Sequence, residues 1–254
     1  MHNKLIEKLL SHNNLQALDV DVFPAGMKIL VLAPHPDDFD AVGVTLRRFK
    51  ANGNLLTLAV ISSGASGVED SYLKNDGNLK IKTLIREREQ LESALFCNLN
   101  ENKIIFLRTE EEENGNILEN DTNFLLIKNC LAKANPDIVF MPHWNDTNAS
   151  HRRSYALAKK AMLQIPGQRI LFLNKDPKTV TMPIKLYSAF DESEASWKGK
   201  LLRHHMSQHE RNLHTRGYGF DCRILEFNRL CAVEIKREEY AEVFDIEVVP
   251  RQHT

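Results

Sequence analysis

The sequence lacks several features that would assign it to a class at once. Its 254 residues carry a formal net charge of −1, so no excess of positive charge points to nucleic acid or an anionic membrane as a partner. No apolar run approaches the roughly 18 residues that a membrane span requires. The apolar stretch at residues 6–10 is too short and too charged for a secretory leader. We therefore expect a cytoplasmic protein that acts on a small molecule.

Two common sequence patterns are also missing. The four cysteines form no C-x-x-C pair, which favours free thiols in a reducing compartment; they are Cys97, Cys130, Cys222 and Cys231. No G-x-G-x-x-G motif follows the strand predicted at residues 27–33, and the two aspartates found there would repel a pyrophosphate. The sequence therefore predicts no bound dinucleotide.

What the sequence does have is a regular alternation of apolar runs and amphipathic segments. Hydrophobic residues make up 43% of the chain, enough for one large domain spanning residues 1–254. Strands are predicted at 27–33, 55–61, 103–107, 138–141, 169–173, 182–190 and 242–249, and helices at 43–51, 81–97, 121–134, 151–163 and 193–208. A short amphipathic helix and a loop are expected within residues 1–26. This order predicts an α/β fold with three layers and a Rossmann-like, mostly parallel sheet.

The predicted helix 81–97 has a hydrophobic periodicity that favours one buried face. We expect the charged run Arg86–Glu89 to point largely into solvent. The side chains expected to point inward are Leu84, Leu91, Leu95 and Phe96. The acidic stretch Glu110–Glu113 further along favours a solvated loop.

The most informative stretch is residues 33–38, Ala-Pro-His-Pro-Asp-Asp, which directly follows a predicted buried strand. Ligands bind at the carboxyl ends of the strands in an open α/β sheet, so His35, Asp37 and Asp38 are well placed for chemistry. One interpretation is half of a metal site with an adjacent general base. The other is a helix cap, with Pro36 shaping the turn.

A second polar loop follows another predicted strand, over 100 residues later, and reads Asp-Thr-Asn-Ala-Ser-His at residues 146–151. Two such loops at one edge of a sheet can bring His35, Asp38 and His151 together. A His–Asp–His set leaves a fourth position open for water, as in a catalytic rather than a structural zinc site. Asp37, next to a ligand but pointing differently, then suits the general base.

These motifs resemble those of the LmbE-like/PIG-L family of zinc-dependent N-deacetylases. The resemblance spans residues 27–245 and is carried mainly by residues 33–38 and 142–155, with weaker matches at 86–89, 207–208 and 240–244. It implies removal of acetyl from N-acetylglucosamine-type sugars in carbohydrate metabolism. It also implies one zinc ion per chain, although His₂Asp sites take ferrous iron or cobalt as well. Related proteins often assemble into small homo-oligomers.

By this resemblance the metal ligands are His35, Asp38 and His151, and Asp37 is the base. Arg86 is expected near the substrate sugar. From its place in the second loop, Asp146 is expected to orient His151 rather than to bind the metal.

The sequence departs from the family pattern in three places. Phe39-Asp40 stands where the family often has glutamate, and Gly43–Thr45 shortens a Gly-Gly-Thr stretch. The most serious departure is Asn148, where the family usually has a histidine that polarises the acyl oxygen or protonates the leaving group. An amide can donate a hydrogen bond to an oxyanion but cannot transfer a proton, and an Asx turn is the alternative role. Asp37 is then expected to shuttle the proton alone, with His143 nearby.

Three further groups of residues leave alternatives open. His143 and Trp144 suit either the floor of a sugar site or loop packing. The histidine- and arginine-rich run 203–216 suits either a solvated basic helix or a rim that binds a phosphate or carboxylate of the substrate. Ser62–Gly64 suits either a plain turn or backbone donors to substrate.

Taken together, the sequence predicts a zinc-dependent hydrolase that removes an N-acetyl group from an amino sugar or its conjugate. One alternative keeps the metal but changes the substrate to a non-sugar N-acyl compound. The other is a catalytically silent metal-binding protein, motivated by Asn148.

Overall fold

One sheet of eight strands runs through the part of the chain that the computed structural model describes, namely residue 9 and residues 15–73, 78–237 and 239–250. The strands are β1 (Gln16–Ala17), β2 (Lys28–Ala33), β3 (Leu55–Val60), β4 (Ile104–Phe106), β5 (Ile138–Pro142), β6 (Arg169–Asn174), β7 (Leu186–Phe190) and β8 (Tyr240–Val249). Their order across the sheet is β1-β7-β8-β6-β5-β2-β3-β4. Neighbouring strands are parallel except that β8 pairs antiparallel with β6 and β7. The predicted mostly parallel sheet is confirmed.

Helices cover both faces of this sheet. Those of the described residues are α1 (Gly43–Ala51), α2 (Leu79–Phe96), α3 (Asp121–Ala134), α4 (Ala149–Met162), α5 (Glu192–Leu202), α6 (Met206–Arg216) and α7 (Phe220–Glu234). Alternate side chains of β2 enter different apolar clusters. Ile29 and Val31 pack in a cluster that contains Phe49 of α1, whereas Leu30 and Leu32 pack with side chains of α3 and α4. β2 is therefore buried on both faces, which gives the predicted three layers.

The sheet reverses its strand order at β2. The chain runs from β2 through β3 to β4 on one side, then returns as β5 on the other side of β2. Such a reversal is where open α/β sheets bind ligands. The loops after β2 and β5, residues 34–42 and 143–148, leave the sheet at the same edge because the two strands are parallel neighbours. The fold thereby brings the two polar loops together.

A buried carboxylate from the last strand fixes the start of α1. Glu242 accepts hydrogen bonds from the backbone N–H groups of Val44 and Thr45 at 3.1 and 2.8 Å. It also accepts one from Nζ of Lys198 at 2.7 Å. Burial lowers the pKa of Lys198, an effect that Glu242 opposes. A carboxylate at a helix N-terminus satisfies otherwise unpaired N–H groups and interacts favourably with the helix dipole.

The prediction of one helix at 193–208 is wrong. Two helices, α5 and α6, occupy this region, and α7 follows where the sequence analysis predicts none. The break between α5 and α6 falls at His205, whose buried ring nitrogen Nε2 lies 2.6 Å from Oδ2 of Asp40. A contact between residues so far apart in the sequence has no local signal.

The predicted inward face of α2 is only partly confirmed: Phe96 packs against Trp197 and Arg88 is exposed as predicted, but other side chains are reversed. Leu84 and Leu95 are 55% and 46% exposed, whereas Arg86 and Glu89 are only 2% and 6% exposed. Arg86 and Glu89 turn inward because they meet polar groups of the loop after β2 and of α6, as described below. The buried face of α2 is therefore mostly polar.

Most of the helix predicted near the N-terminus lies outside the described residues. Within residues 15–26, β1 adds a short parallel strand to β7, and a 3₁₀ turn forms at Val20–Val22. Part of the predicted loop is therefore a short strand at the edge of the sheet. Among the described helices, none combines the length and apolar character that crossing a membrane would need.

Candidate metal and catalytic site

Two histidines and a carboxylate meet at the edge of the sheet. Ligand atoms of His35, Asp38 and His151 all lie within 4.8 Å of one another. Oδ2 of Asp38 is 3.2 Å from Nδ1 of His35, and its Oδ1 is 3.5 Å from Nε2 of His151. The first two residues come from the loop after β2, and His151 lies in the first turn of α4. The donor set fits a divalent metal ion of the zinc, ferrous iron or cobalt type.

The charges of this cluster favour an ionised carboxylate beside a cation. Burial opposes the ionisation of Asp38, but His151 and His35 outweigh it and hold the pKa of Asp38 well below its ordinary value. Burial also disfavours a charged His151, but Asp38 and Asp146 outweigh it and raise the pKa of His151 well above its ordinary value. The site therefore attracts positive charge, and a metal ion can take the place of the proton.

Asp146 holds the ring of His151 in place. Oδ2 of Asp146 lies 3.1 Å from Nδ1 of His151, and its Oδ1 accepts a hydrogen bond from the N–H of Asn148 at 2.6 Å. A carboxylate on one ring nitrogen fixes the imidazole so that the other nitrogen is presented, here towards Asp38. Asp176 completes a second close group with Asp146 and His151. Burial raises the pKa of Asp176 despite the nearby His151.

Asp37 lines the same site in a strained conformation. Its φ is 111°, a region that residues other than glycine rarely adopt. The N–H of Asp37 donates to Oε1 of Gln90 at 3.0 Å, and its Oδ2 lies 3.2 Å from Nη2 of Arg86. Arg86 also donates to the carbonyl oxygen of Pro36. Two side chains of α2 thus hold Asp37 beside Asp38.

Gln90 connects Asp37 to a buried polar cluster. Nε2 of Gln90 lies 2.8 Å from Oγ of Ser93 and 3.3 Å from Oδ2 of Asp40, the same oxygen that contacts His205. All four of these side chains are fully buried. The sequence analysis missed Gln90 as a site residue because hydrophobic periodicity gives no weight to a polar side chain with distant partners.

Asn148 is both a helix cap and a cavity residue. Its Oδ1 accepts a hydrogen bond from the N–H of Ser150 at 2.9 Å, at the start of α4. Only an oxygen can accept this bond, so the amide orientation is fixed and Nδ2 remains a donor. Asn148 also lines the cavity described next. Its position is compatible with both predicted roles.

A polar cavity of about 650 Å³ lies over the cluster. The predicted site residues that line it are His35, Asp37, Asp38, Arg86, Asn148 and His151. Arg86 is deeply buried, yet its Nε and Nη1 have no hydrogen-bond partner within the described ranges. Its contacts are with Asp37, with the carbonyl oxygen of Pro36 and, at 3.7 Å, with Oε2 of Glu89, so Arg86 supports the loop after β2 as well as lining the cavity.

His143 and Trp144 are absent from the described lining of this cavity. His143 is buried, accepts a hydrogen bond from the N–H of Asn145 at 3.1 Å, and has Nε2 3.9 Å from Asp245. Burial lowers the pKa of His143. Trp144 is half-exposed, with its ring centroid 5.1 Å from that of His143. The described lining therefore gives no support to the predicted sugar floor, and a role of His143 beside Asp37 stays a prediction.

A comparison with protein families shows to which family the chain belongs. The sequence profile of the PIG-L family, described as GlcNAc-PI de-N-acetylase, matches residues 30–162, just over half of the chain. The chain belongs to the PIG-L family. The resemblance stated from the sequence is thereby confirmed. The matched segment contains both polar loops and all three candidate ligands of this PIG-L protein. A comparison with curated proteins found no match.

Solved structures similar to this PIG-L protein include enzymes of two kinds. The N,N'-diacetylchitobiose deacetylase of Pyrococcus horikoshii has a TM-score of 0.72 and 20% identity, covering 97% of this chain and 93% of its own. The A40926 pseudoaglycone deacetylase has a TM-score of 0.66 and 17% identity, covering 90% and 99%. The 4-carboxy-2-hydroxymuconate hydratase of Pseudomonas putida KT2440 has a TM-score of 0.68 and 15% identity, also covering 90% and 99%. At these identities the likeness shows the fold.

Proposed function

We propose that the protein is a zinc-dependent hydrolase that removes an N-acetyl group from an amino sugar or its conjugate. The observation that carries this proposal is the position of Asp37, a carboxylate beside a His–Asp–His donor set in one polar cavity. Membership of the PIG-L family and deacetylases among the similar structures support the same chemistry.

The proposed zinc ligands are His35, Asp38 and His151. A bound divalent ion of this type makes water more acidic and polarises an acyl oxygen. Asp146 keeps Nε2 of His151 available as a ligand by occupying its Nδ1. The ligands thereby come from a loop and a helix start that follow two neighbouring strands of the sheet.

Asp37 and Asn148 are the proposed catalytic residues. Asp37 takes a proton from the attacking water and returns it to the amine as the carbon–nitrogen bond breaks, which gives a free amine and acetate. Nδ2 of Asn148 donates a hydrogen bond to the acyl oxygen as negative charge develops there. Arg86 keeps the carboxylate of Asp37 in the cavity.

The fold by itself does not select this reaction, because deacetylases and a hydratase share it. Asn148 cannot transfer a proton, which favours a catalytically silent metal-binding protein as the second candidate. A non-sugar N-acyl substrate is the third.

The test is a screen of purified, metal-analysed protein against N-acetylated sugars, glycosides and non-sugar amides. We expect equimolar primary amine and acetate from at least one N-acetyl sugar, lost after chelation and restored best by zinc rather than ferrous iron or cobalt. If amine and acetate are released only from non-sugar amides, the third candidate, a non-sugar N-acyl substrate, replaces the proposed substrate. Stoichiometric metal without any turnover would support the second.

Gln90→Met is expected to lower kcat roughly 10- to 100-fold with little change in KM, because a small displacement of a catalytic group has effects of this order. The substitution removes the acceptor that holds the N–H of Asp37 while nearly keeping side-chain volume. Steady-state kinetics, metal content and Tm are measured together.

The matched control is Ser93→Ala, which removes a hydroxyl from the same buried cluster without touching Asp37. Both substitutions are expected to lower Tm, but only Gln90→Met is expected to lower kcat strongly. Equal losses of kcat in the two variants would show that Gln90 has only a structural role.

A further inference from the structure

Helix α6 turns a polar and basic face to the cavity. Its lining residues recur at helical spacing and are Gln208, Arg211, Asn212, Thr215 and Arg216. Positions three to four residues apart lie on one side of a helix, so a continuous face of α6 contributes to the wall. The sequence analysis left open whether this run is solvated or forms a rim of the site; the structure places one face of it in the cavity wall.

Two more cations line the same cavity. Arg223 of α7 and Lys178 of the loop after β6 also line the cavity, and we call these two residues together with Arg211 and Arg216 the basic wall. Among the described residues, none of the four forms an ion pair. The acidic residues nearby are engaged elsewhere: Asp221 with Arg203 at 2.7 Å and Glu69 with His214 at 2.9 Å.

Three carboxylates stand in the described lining of the cavity, and one of them adjoins the basic wall, because Oδ1 of Asp176 accepts a hydrogen bond from the backbone N–H of Lys178 at 2.9 Å. The other two are Asp37 and Asp38. Arg86 contacts Asp37, and two histidines contact Asp38. The chain as a whole has a net charge of −1, so four cations that form no ion pair with any described residue do not reflect a general excess of positive charge.

A buried acceptor lies on the same helix as the arginines Arg211 and Arg216. Asn212 is only 5% exposed, and its Oδ1 has no hydrogen-bond partner in the described part of the chain. Its Nδ2 donates to the carbonyl oxygen of Gln208 at 2.8 Å, which fixes the amide orientation. A buried acceptor without a partner costs free energy.

We propose that the basic wall binds an anionic group, a phosphate or a carboxylate, carried by the substrate. The proposal rests on the proposed deacetylase function and narrows its substrate class to N-acetylated amino sugars with an anionic substituent. Arginine suits this role because its planar guanidinium pairs with both oxygens of such groups.

The test compares ligands that differ only in charge. The first pair is the 4-carboxyphenyl and 4-nitrophenyl glycosides of N-acetylglucosamine, which have nearly the same shape. The second pair is N-acetylglucosamine 6-phosphate and N-acetylglucosamine. Zinc-loaded protein is assayed for amine release, and binding is measured separately by calorimetry with the corresponding deacetylated compounds, which cannot be turned over.

We expect the anionic member of at least one pair to bind at least tenfold more tightly, with a preference that weakens as salt is raised. Replacing Arg216 and Arg223 together by glutamine is expected to reduce this preference by about tenfold, or roughly 1.4 kcal/mol. The charge-matched control replaces Lys103 and Lys133 together by glutamine; both are exposed and absent from the described cavity lining, and this variant is expected to keep the preference.

Equal binding within both pairs would overturn the basic wall as an anion site, and so would a preference that survives the double replacement. If the N-acetyl compounds are deacetylated in that case, the proposed deacetylase function stands and only the anion site is refuted. If no compound is deacetylated but the charge preference appears and depends on the two arginines, the deacetylase proposal fails and the anion site remains.

Discussion

Replacing Asp37 by asparagine is expected to lower kcat for deacetylation by about 1,000-fold, within the range that general acid–base groups contribute. Asparagine keeps the size of the side chain and can still contact Arg86, but it can neither accept the proton of the attacking water nor return it to the amine. The metal should remain bound, because the proposed ligands His35, Asp38 and His151 are unchanged. The variant is therefore expected to be a folded, metal-loaded protein with little turnover.

The measurement combines kcat and KM with metal content and Tm. Asp121→Asn is a suitable control, because it removes a carboxylate of the same kind from the exposed first turn of α3. Retention of more than about a tenth of the activity would exclude Asp37 as the proton carrier. Asp176, the remaining carboxylate of the cavity lining outside the proposed ligand set, would then be examined as the base.

Replacing His151 by alanine is expected to weaken zinc binding by more than 100-fold and to abolish turnover. Loss of a group that merely orients a ligand costs about 10- to 100-fold in metal affinity, and loss of the ligand itself should cost more. The substitution also leaves Asp38 and Asp146 without the histidine that each contacts. Zinc titration calorimetry and metal analysis provide the readout, independent of any substrate.

Two further variants sharpen this test. Asp146→Asn keeps the ligand but weakens its orientation, so its zinc affinity should lie between those of the wild type and His151→Ala. His214→Ala removes an exposed histidine that pairs with Glu69 and should bind zinc normally. Wild-type affinity in His151→Ala would refute the proposed metal site, whatever the activity of the protein.

The sequence predicts best those elements whose ends have local chemical causes. Helix α3 spans Asp121–Ala134 as predicted, because Asn120 caps its first turn and Asn135 takes the left-handed conformation that ends it. The convergence of His35 with His151 could be predicted for a similar reason. Both follow strands that become parallel neighbours, and parallel strands bring their carboxyl ends to one edge.

The support of the site could not be predicted in this way. Periodicity assigns Arg86 and Glu89 to solvent, yet Arg86 meets Asp37, and Glu89 accepts hydrogen bonds from the N–H and hydroxyl of Ser207 at 2.6 and 2.7 Å. These partners lie 49 and 118 residues away from their respective α2 side chains. Burial of a charge depends on such distant partners, and a window of neighbouring residues contains none of them.

The carboxylate of Glu242 makes α1, the helix after the loop that carries His35 and Asp38, depend on β8, a strand that lies far later in the sequence. All three proposed zinc ligands lie within the first 151 residues of the chain. The carboxylate that caps α1 belongs to Glu242 of β8 and is synthesised about 90 residues later. A fragment that includes residue 151 but stops before β8 contains all three proposed zinc ligands and lacks the Glu242 carboxylate that caps α1. We therefore expect such a fragment to become active only when a peptide that contains β8 is added.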